Sequence, residues 1–349
     1  MISGANKPLR IGVLGAANIA RLFISSVRGS SKVDVYAVAS RDGAKAAAFA
    51  KETGVAHSFG SYEAMLADAS IEAVYNPQPN NLHAEWTIKA ANAGKHVLCE
   101  KPFAANSAET KAMFDASAAN NVYVVEAYPY RAQPQTIKVA ELLREGAIGK
   151  VQLIQASFGF PLPVNGNIRW DPSLAGGALM DAGSYPVSLV RMIAGERPTR
   201  VHAMARFADS GVDRTLVGTI DFPGGLLAQV SCSFGTARHR HALIVGEAGS
   251  IETTFYNDTS DTLPPQIVIK RGIALDAPRE IIELAPALGF RVQGEAFCDL
   301  VRSGWASWPG ATPAETVDPC SRLMLWRRVL EMAAWWRLRS SDQVFCRSA

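Results

Sequence analysis

A lysine stands where an apolar run stops. The stretch VLCEKPFA, residues 97–104, carries Glu100, then Lys101, then Pro102. A strand that ends this way delivers an ammonium at its carboxyl end, where open α/β sheets hold their ligands. A cation there stabilises negative charge as it develops on a substrate oxygen. A plain Glu100–Lys101 salt bridge fits poorly, because adjacent strand residues face opposite ways. A second group lies in GGALMDAGSYPV, residues 176–187, where Asp181 and Tyr185 are four apart. On a helix that spacing puts both on one face. A free phenol has a pKa near 10, and a neighbouring cation lowers it. Tyr185 with Lys101 is therefore a candidate proton-handling pair, and Asp181 binds a hydroxyl or orients the phenol. Pro186 disfavours α geometry at Tyr185 and predicts a kink there.

A third group has the chemistry of a nucleotide site. The run LRIGVLG, residues 9–15, leads into a helical pattern through G-x-A-x-x-A, counted from Gly15 through Ala17 to Ala20. Glycine allows the tight turn, and the small residues let a pyrophosphate approach the helix N-terminus at Asn18 and Ile19. Small residues also serve ordinary helix–sheet packing, so the position directly after a strand carries the reading. The second strand ends VASR, with Ser40 and Arg41 where an NAD site usually has an acid. A hydroxyl and a guanidinium suit a 2′-phosphate, which predicts NADP over NAD. A solvated arginine, partly neutralised by Asp42, is the competing reading.

These groups need elements that place them. Runs at 9–15, 33–41, 71–79, 95–102 and 122–130 read as strands and alternate with helical patterns. That rhythm means βαβ units and a parallel sheet buried on both faces. After about Tyr128 it changes to strand-like runs separated by Gly, Pro, Asp and Asn. Examples are KVQLIQASFGF, DRTLVGTIDF and RHALIVGEAG, with the helix of Asp181 and Tyr185 interposed. The fold class expected is an α/β Rossmann domain over residues 1–127, plus an α+β domain with a large, mainly antiparallel open sheet over residues 128–349. The last helical pattern, from Glu315 onward, holds Trp326, Trp335 and Trp336 as packing residues.

Composition narrows the classes. A chain of 349 residues with 48% hydrophobic and 19% charged residues has material for two cores. A net charge of +3 without a dense basic run argues against nucleic acid and a membrane surface. No window of about 18 apolar residues offers a span, and the start MISGANKPLR lacks an apolar leader segment. Five scattered cysteines without a C-x-x-C pair fit a reducing cytoplasm and no disulfide framework. His239 and His241 in RHRH lack visible further ligands, so no metal site is expected.

The whole pattern resembles the Gfo/Idh/MocA oxidoreductase family. The motifs are EKP at Glu100–Pro102, NPQPNNLHAE at residues 76–85, LREGAIGKV at 143–151 and GGALMDAGSYPV at 176–187, in order along nearly the whole chain. The resemblance implies an NADP-dependent enzyme acting on CH–OH groups of sugars or related diols. It implies that Lys101 contacts the reacting oxygen, that the Lys101–Pro102 bond is cis, and that Tyr185 takes the place many members give to histidine. Aldose dehydrogenases (D-xylose or glucose type), dihydrodiol dehydrogenases and ketosugar reductases are the nearest branches. A closed sugar-to-sugar cycle with retained NADP, and a non-catalytic NADP(H) sensor, are the alternatives. Pro77, Gln78, Asn80, His83, Glu100 and Lys101 are expected at the cofactor. Tyr128, Arg131 and Gln133 follow the crossover, and Arg169, Trp170 and Asp171 precede the helix. Of these, Tyr128, Arg169 and Trp170 are expected at the substrate. The exposed sheet face implies a homodimer or homotetramer.

Overall fold

A computed structural model of the chain describes residues 7–164 and 166–317. The terminal tryptophans Trp326, Trp335 and Trp336, with Cys320 and Cys346, lie outside the described residues. Two compact units form, and the division is not a single cut at 127/128: residues up to Gln133 group with Asn257–Thr259 and Ala287–Pro313, and Pro134–Tyr256 with Ser260–Pro286.

The first unit is a parallel sheet of β1 (Leu9–Leu14), β2 (Val33–Ala39), β3 (His57–Phe59), β4 (Ala73–Asn76), β5 (His96–Glu100) and β6 (Val124–Ala127) in the order β3-β2-β1-β4-β5-β6. β3 is three edge residues paired to Ala37–Ala39, too few to leave a pattern in the sequence. Helices α1 (Asn18–Val27), α2 (Gly43–Thr53), α3 (Tyr62–Leu66), α4 (His83–Asn92) and α5 (Ser107–Ala119) connect the strands. The strand order reverses between β1 and β4, and that switch point is where such sheets hold ligands. A further helix, Gly289–Ser303, packs against this unit. Gly294 makes that approach close: a Cβ there would sit 3.2 Å from Val27 Cγ1 on α1. Phe290, Phe297 and Leu300 from the same helix join the core of Leu9, Ile11, Val13 and Phe23.

The second unit begins with α6 (Pro134–Arg144). It contains an eight-stranded sheet of β7 (Val151–Gly159), β8 (Arg200–Phe207), β9 (Asp213–Asp221), β10 (Leu227–Ser233), β11 (His239–Gly246), β12 (Gly249–Thr253), β13 (Gln266–Arg271) and β14 (Arg279–Glu283). The order is β14-β13-β12-β11-β7-β10-β9-β8, antiparallel except for the parallel β7–β10 pair. One face is covered by α7 (Ser184–Ala194), whose Tyr185, Leu189 and Val190 are buried. The other face alternates outward, exposing Met204, Val217 and Leu227. His239 on this sheet is bonded to Ser157 at 2.8 Å, and His241 lies 3.9 Å from Glu252.

Candidate active site

In the first unit, Gly15 ends β1 with φ at 125°, a region that excludes ordinary side chains. A Cβ at Gly15 would sit 2.8 Å from Gln78 Nε2, and that amide donates to the Leu14 carbonyl. α1 then starts without a side-chain cap and without an acid in its first turn, so its leading N–H groups are left for an anion. Ala17 and Ile19 pack on the core, and Asn18 Oδ1 accepts from Arg21 at 2.7 Å. At the tip of β2, Ser40 is buried and Arg41 is exposed. Asp42 does not neutralise Arg41 as the competing reading had it. Its Oδ1 caps α2, accepting from the Ala44 and Lys45 amides at 2.9 and 3.1 Å. A glycine cradle, an uncapped helix start and a cation at the β2 tip fit a dinucleotide phosphate.

The loop after β4 is tied to the lysine turn by one imidazole. His83 Nε2 lies 2.7 Å from the Gln78 carbonyl and Nδ1 lies 2.8 Å from the Pro102 carbonyl. Both ring nitrogens face backbone carbonyls, and the neutral ring donates to one of them at a time. Burial pulls the imidazole down to about 4, against the two carbonyls, and the nearby Lys101 charge adds to the decrease. Asn76 reinforces the loop by donating to the His83 carbonyl at 3.2 Å and accepting from the Gln78 N–H at 3.3 Å. Pro77 is buried, and Asn80 opens a short 3-10 turn.

Lys101 follows β5 directly, half-buried, and the Lys101–Pro102 bond is cis. Glu100 points into the sheet core. It accepts from Tyr75 Oη at 2.6 Å and from the Lys101 N–H at 3.2 Å. Tyr128 is buried and its hydroxyl bonds Glu126, with its ring edge on Tyr130. It therefore lines no open wall, contrary to expectation. Arg131 is buried near Glu126, and Gln133 Nε2 donates to the Asn257 and Ala287 carbonyls.

In the second unit, Asp181 sits in a single π-helical turn, Leu179–Gly183, that runs into α7 and Tyr185. The sequence expected a kink at Pro186; the irregularity comes one turn earlier, and π turns of this kind recur at functional sites. Asp181 Oδ2 accepts from Arg169 Nε at 2.7 Å, so two residues named from sequence are brought together. Trp170 is not a stacking wall. Its Nε1 donates to the Pro163 carbonyl at 3.0 Å, and its ring packs edge-on against Phe234. Asp171 caps the next turn through Ser173. Tyr185 is buried with its ring against Phe158, and the Arg240 guanidinium lies 4.2 Å from its centroid. Arg240, 3.8 Å from the Phe158 ring, escaped the sequence reading because a strand arginine reads as a solvated edge.

The start of the π turn is pinned from β9. Asp213 Oδ2 accepts the Leu179 N–H at 2.7 Å, and a Cβ at Gly177, which has φ 115°, would fall on Asp213 Oδ1. Gly177→Ala is expected to destabilise the protein by about 3 kcal/mol, through positive-φ strain and the displaced buried acceptor. Denaturant midpoints check this, and an unchanged midpoint contradicts it.

Comparisons with known proteins give the family. Residues 9–128 match the model of the oxidoreductase family with an NAD-binding Rossmann fold, and residues 136–252 match the GFO/IDH/MocA C-terminal domain. A D-xylose 1-dehydrogenase (NADP(+)) of Haloferax volcanii is 37% identical, over 85% of this chain and 90% of the relative. A trans-1,2-dihydrobenzene-1,2-diol dehydrogenase of Danio rerio is 35% identical, over 70% of this chain and 74% of the relative. Among solved structures, a 3-ketoreductase from Actinomadura kijaniata in complex with NADP and TDP-benzene superposes with a TM-score of 0.82 at 29% identity, covering 92% of this chain and 97% of that one. It has also been solved with one lysine replaced by alanine and with one tyrosine replaced by phenylalanine, each in complex with TDP-benzene and NADP. With both halves matched in order and close relatives across most of its length, the chain belongs to the Gfo/Idh/MocA oxidoreductase family.

Proposed function

We infer that the chain is an NADP-dependent dehydrogenase of an aldose such as D-xylose, or of a related diol. The observation that carries this is the lysine delivered by β5 on the same sheet as the Gly15 cradle and the Ser40–Arg41 tip. NADP held there supplies or takes up the hydride exchanged with the substrate carbon. Gly15, Ala17 and the start of α1 hold the pyrophosphate, and Ser40 and Arg41 hold the 2′-phosphate. Lys101 stabilises the charge that develops on the reacting oxygen. In the second unit, Tyr185 handles a proton, with the Arg240 guanidinium against its ring, and Asp181, held by Arg169, binds a substrate hydroxyl. The lysine and tyrosine variants made of the 3-ketoreductase mark the same two residue types in a relative.

The likeness to that 3-ketoreductase favours a second reading, reduction of a ketosugar by the same groups. Absorbance at 340 nm with NADP⁺ and a panel of aldoses, polyols and dihydrodiols separates the two. Growth with an aldose supports the dehydrogenase, and silence with NADPH bound turns the reading toward the reductase, a closed sugar-to-sugar cycle or a sensor. The face exposing Met204, Val217 and Leu227 supports association of copies through the large sheet. Among the described residues no helix is long and apolar enough to cross a membrane.

Arg41→Ala is expected to weaken NADPH by about tenfold and NADH by less than about twofold, the difference being one charge-assisted phosphate contact. Fluorescence titration with both nucleotides measures it. Equal losses remove Arg41 from the 2′-phosphate.

A further inference from the structure

The strand after the lysine turn carries a second buried carboxyl. Glu126 lies on β6, paired in register with Cys99 of β5, one position before Glu100. Both glutamates are buried. Glu100 accepts the N–H of Lys101 at 3.2 Å, and Glu126 Oε1 accepts the N–H of Phe103 at 3.0 Å. The turn Lys101–Pro102–Phe103 is thus gripped through its backbone at both ends by carboxyls. Its middle is held by His83 at the Pro102 carbonyl. None of these contacts uses the lysine's own ammonium, so the grip sets where the lysine is delivered from.

We propose that Glu126 is the positioning residue of Lys101: its carboxylate fixes the Phe103 end of the turn, and uptake of a proton there loosens the turn and lowers turnover. This rests on the assignment of Lys101 to the reacting oxygen. Charge-assisted bonds to a carboxylate are about twice as strong as neutral ones. A protonated carboxyl accepts the Phe103 N–H only weakly and brings a donor of its own into a buried place. The groups that face Glu126 are few. The Tyr128 hydroxyl bonds it, Arg131 draws it toward the anion, and the Glu100 charge opposes ionisation. Beside it, Glu100 accepts from the Tyr75 hydroxyl and the Lys101 N–H. Burial outweighs the favourable contacts and raises the carboxyl to about 7, so the geometry changes hands in the neutral range.

The test reads the turn itself, with no cofactor present. The protein is labelled with isotopic phenylalanine, and the Phe103 amide proton, assigned by its loss in Phe103→Leu, is followed from about pH 5.5 to 8.5. A sigmoidal downfield move with a midpoint near neutral is expected in the native protein. Glu126→Gln keeps an acceptor and removes the titration, so its amide is expected to stay flat. In parallel, kcat of the native enzyme is expected to fall about tenfold toward low pH, the scale of one charge-assisted bond. Glu126→Gln is expected to hold the low value throughout, with NADPH affinity unchanged. A native Phe103 amide that does not titrate overturns the proposal, even if the variant fails to fold. So does a titration, or a low-pH fall in kcat, that persists in Glu126→Gln. Lys101→Met separates the two levels of argument. Turnover retained in Lys101→Met sinks the role of Lys101. Turnover lost there, with an unaltered pH profile in Glu126→Gln, sinks the role of Glu126.

Discussion

Lys101→Ala is expected to reduce turnover by at least about 100-fold, the scale of removing one charge partner of a transition state, while NADPH binds within about twofold of its native affinity. The two halves of this expectation come from different parts of the same sheet. The groups proposed to hold the phosphates, Gly15, Ser40 and Arg41, sit at the ends of β1 and β2, whereas Lys101 follows β5. The turn's backbone is held by Glu100 at the Lys101 N–H and by Glu126 at the Phe103 N–H. Truncating the side chain therefore removes a charge and leaves the frame. Lys101→Arg is a useful companion. It restores the charge on a planar, bulkier head, so partial recovery points to electrostatics, and no recovery points to a strict position. Steady-state kinetics with the best aldose, together with NADPH fluorescence titration, gives both numbers. Native turnover in Lys101→Ala would take the lysine out of the reaction.

How far the sequence is legible depends on how much of each signal is local. β1, Gly15 and α1 are readable because a buried parallel strand is a continuous apolar run, and its turn needs a glycine at positive φ. The lysine turn is readable because a charged pair and a proline interrupt such a run. The helix Gly289–Ser303 was missed for the opposite reason. Gly289 and Gly294 break its helical pattern, and they are there for close approaches to the Asn257 carbonyl and to Val27. β14 was missed too, because REIIE at the exposed sheet edge has no buried alternation. Residue type also says little about direction. Trp170 and Tyr128 have the chemistry of a sugar wall, yet each spends its polar atom inside, on the Pro163 carbonyl and on Glu126. Asp181 and Tyr185 stand on a motif that resembles the family's, and their spacing shares a helix face, but the arginines beside them, Arg169 and Arg240, come from a loop and from a strand. No sequence spacing encodes those meetings.

Glu126 itself reads in sequence as an ordinary strand end, and its burial gives it a measurable effect on stability. Its carboxyl stands at about 7 in the folded protein, raised from 4.5 first by burial. The folded state therefore binds this proton more tightly than the unfolded chain. Below 4.5 both states carry the proton and Glu126 adds no pH dependence. As pH rises toward 7 the unfolded chain ionises freely while the folded one resists, so stability falls across that window and levels off above it. The full fall is roughly 3 kcal/mol, from about 1.4 kcal/mol for each unit between the two values. Glu126→Gln cannot ionise, so its unfolding free energy is expected to lack this fall. Measured by denaturant titration from about pH 4.5 to 8, the native and variant curves should diverge by about that amount. Parallel curves would mean that Glu126 is ionised throughout, and that the turn is not gripped by a titrating group. Divergence would show a carboxyl kept at a net loss of stability near neutral pH. Such a loss is intelligible where the same anion holds the backbone that delivers Lys101, because a glutamine in its place accepts the Phe103 N–H without the charge that makes the grip firm.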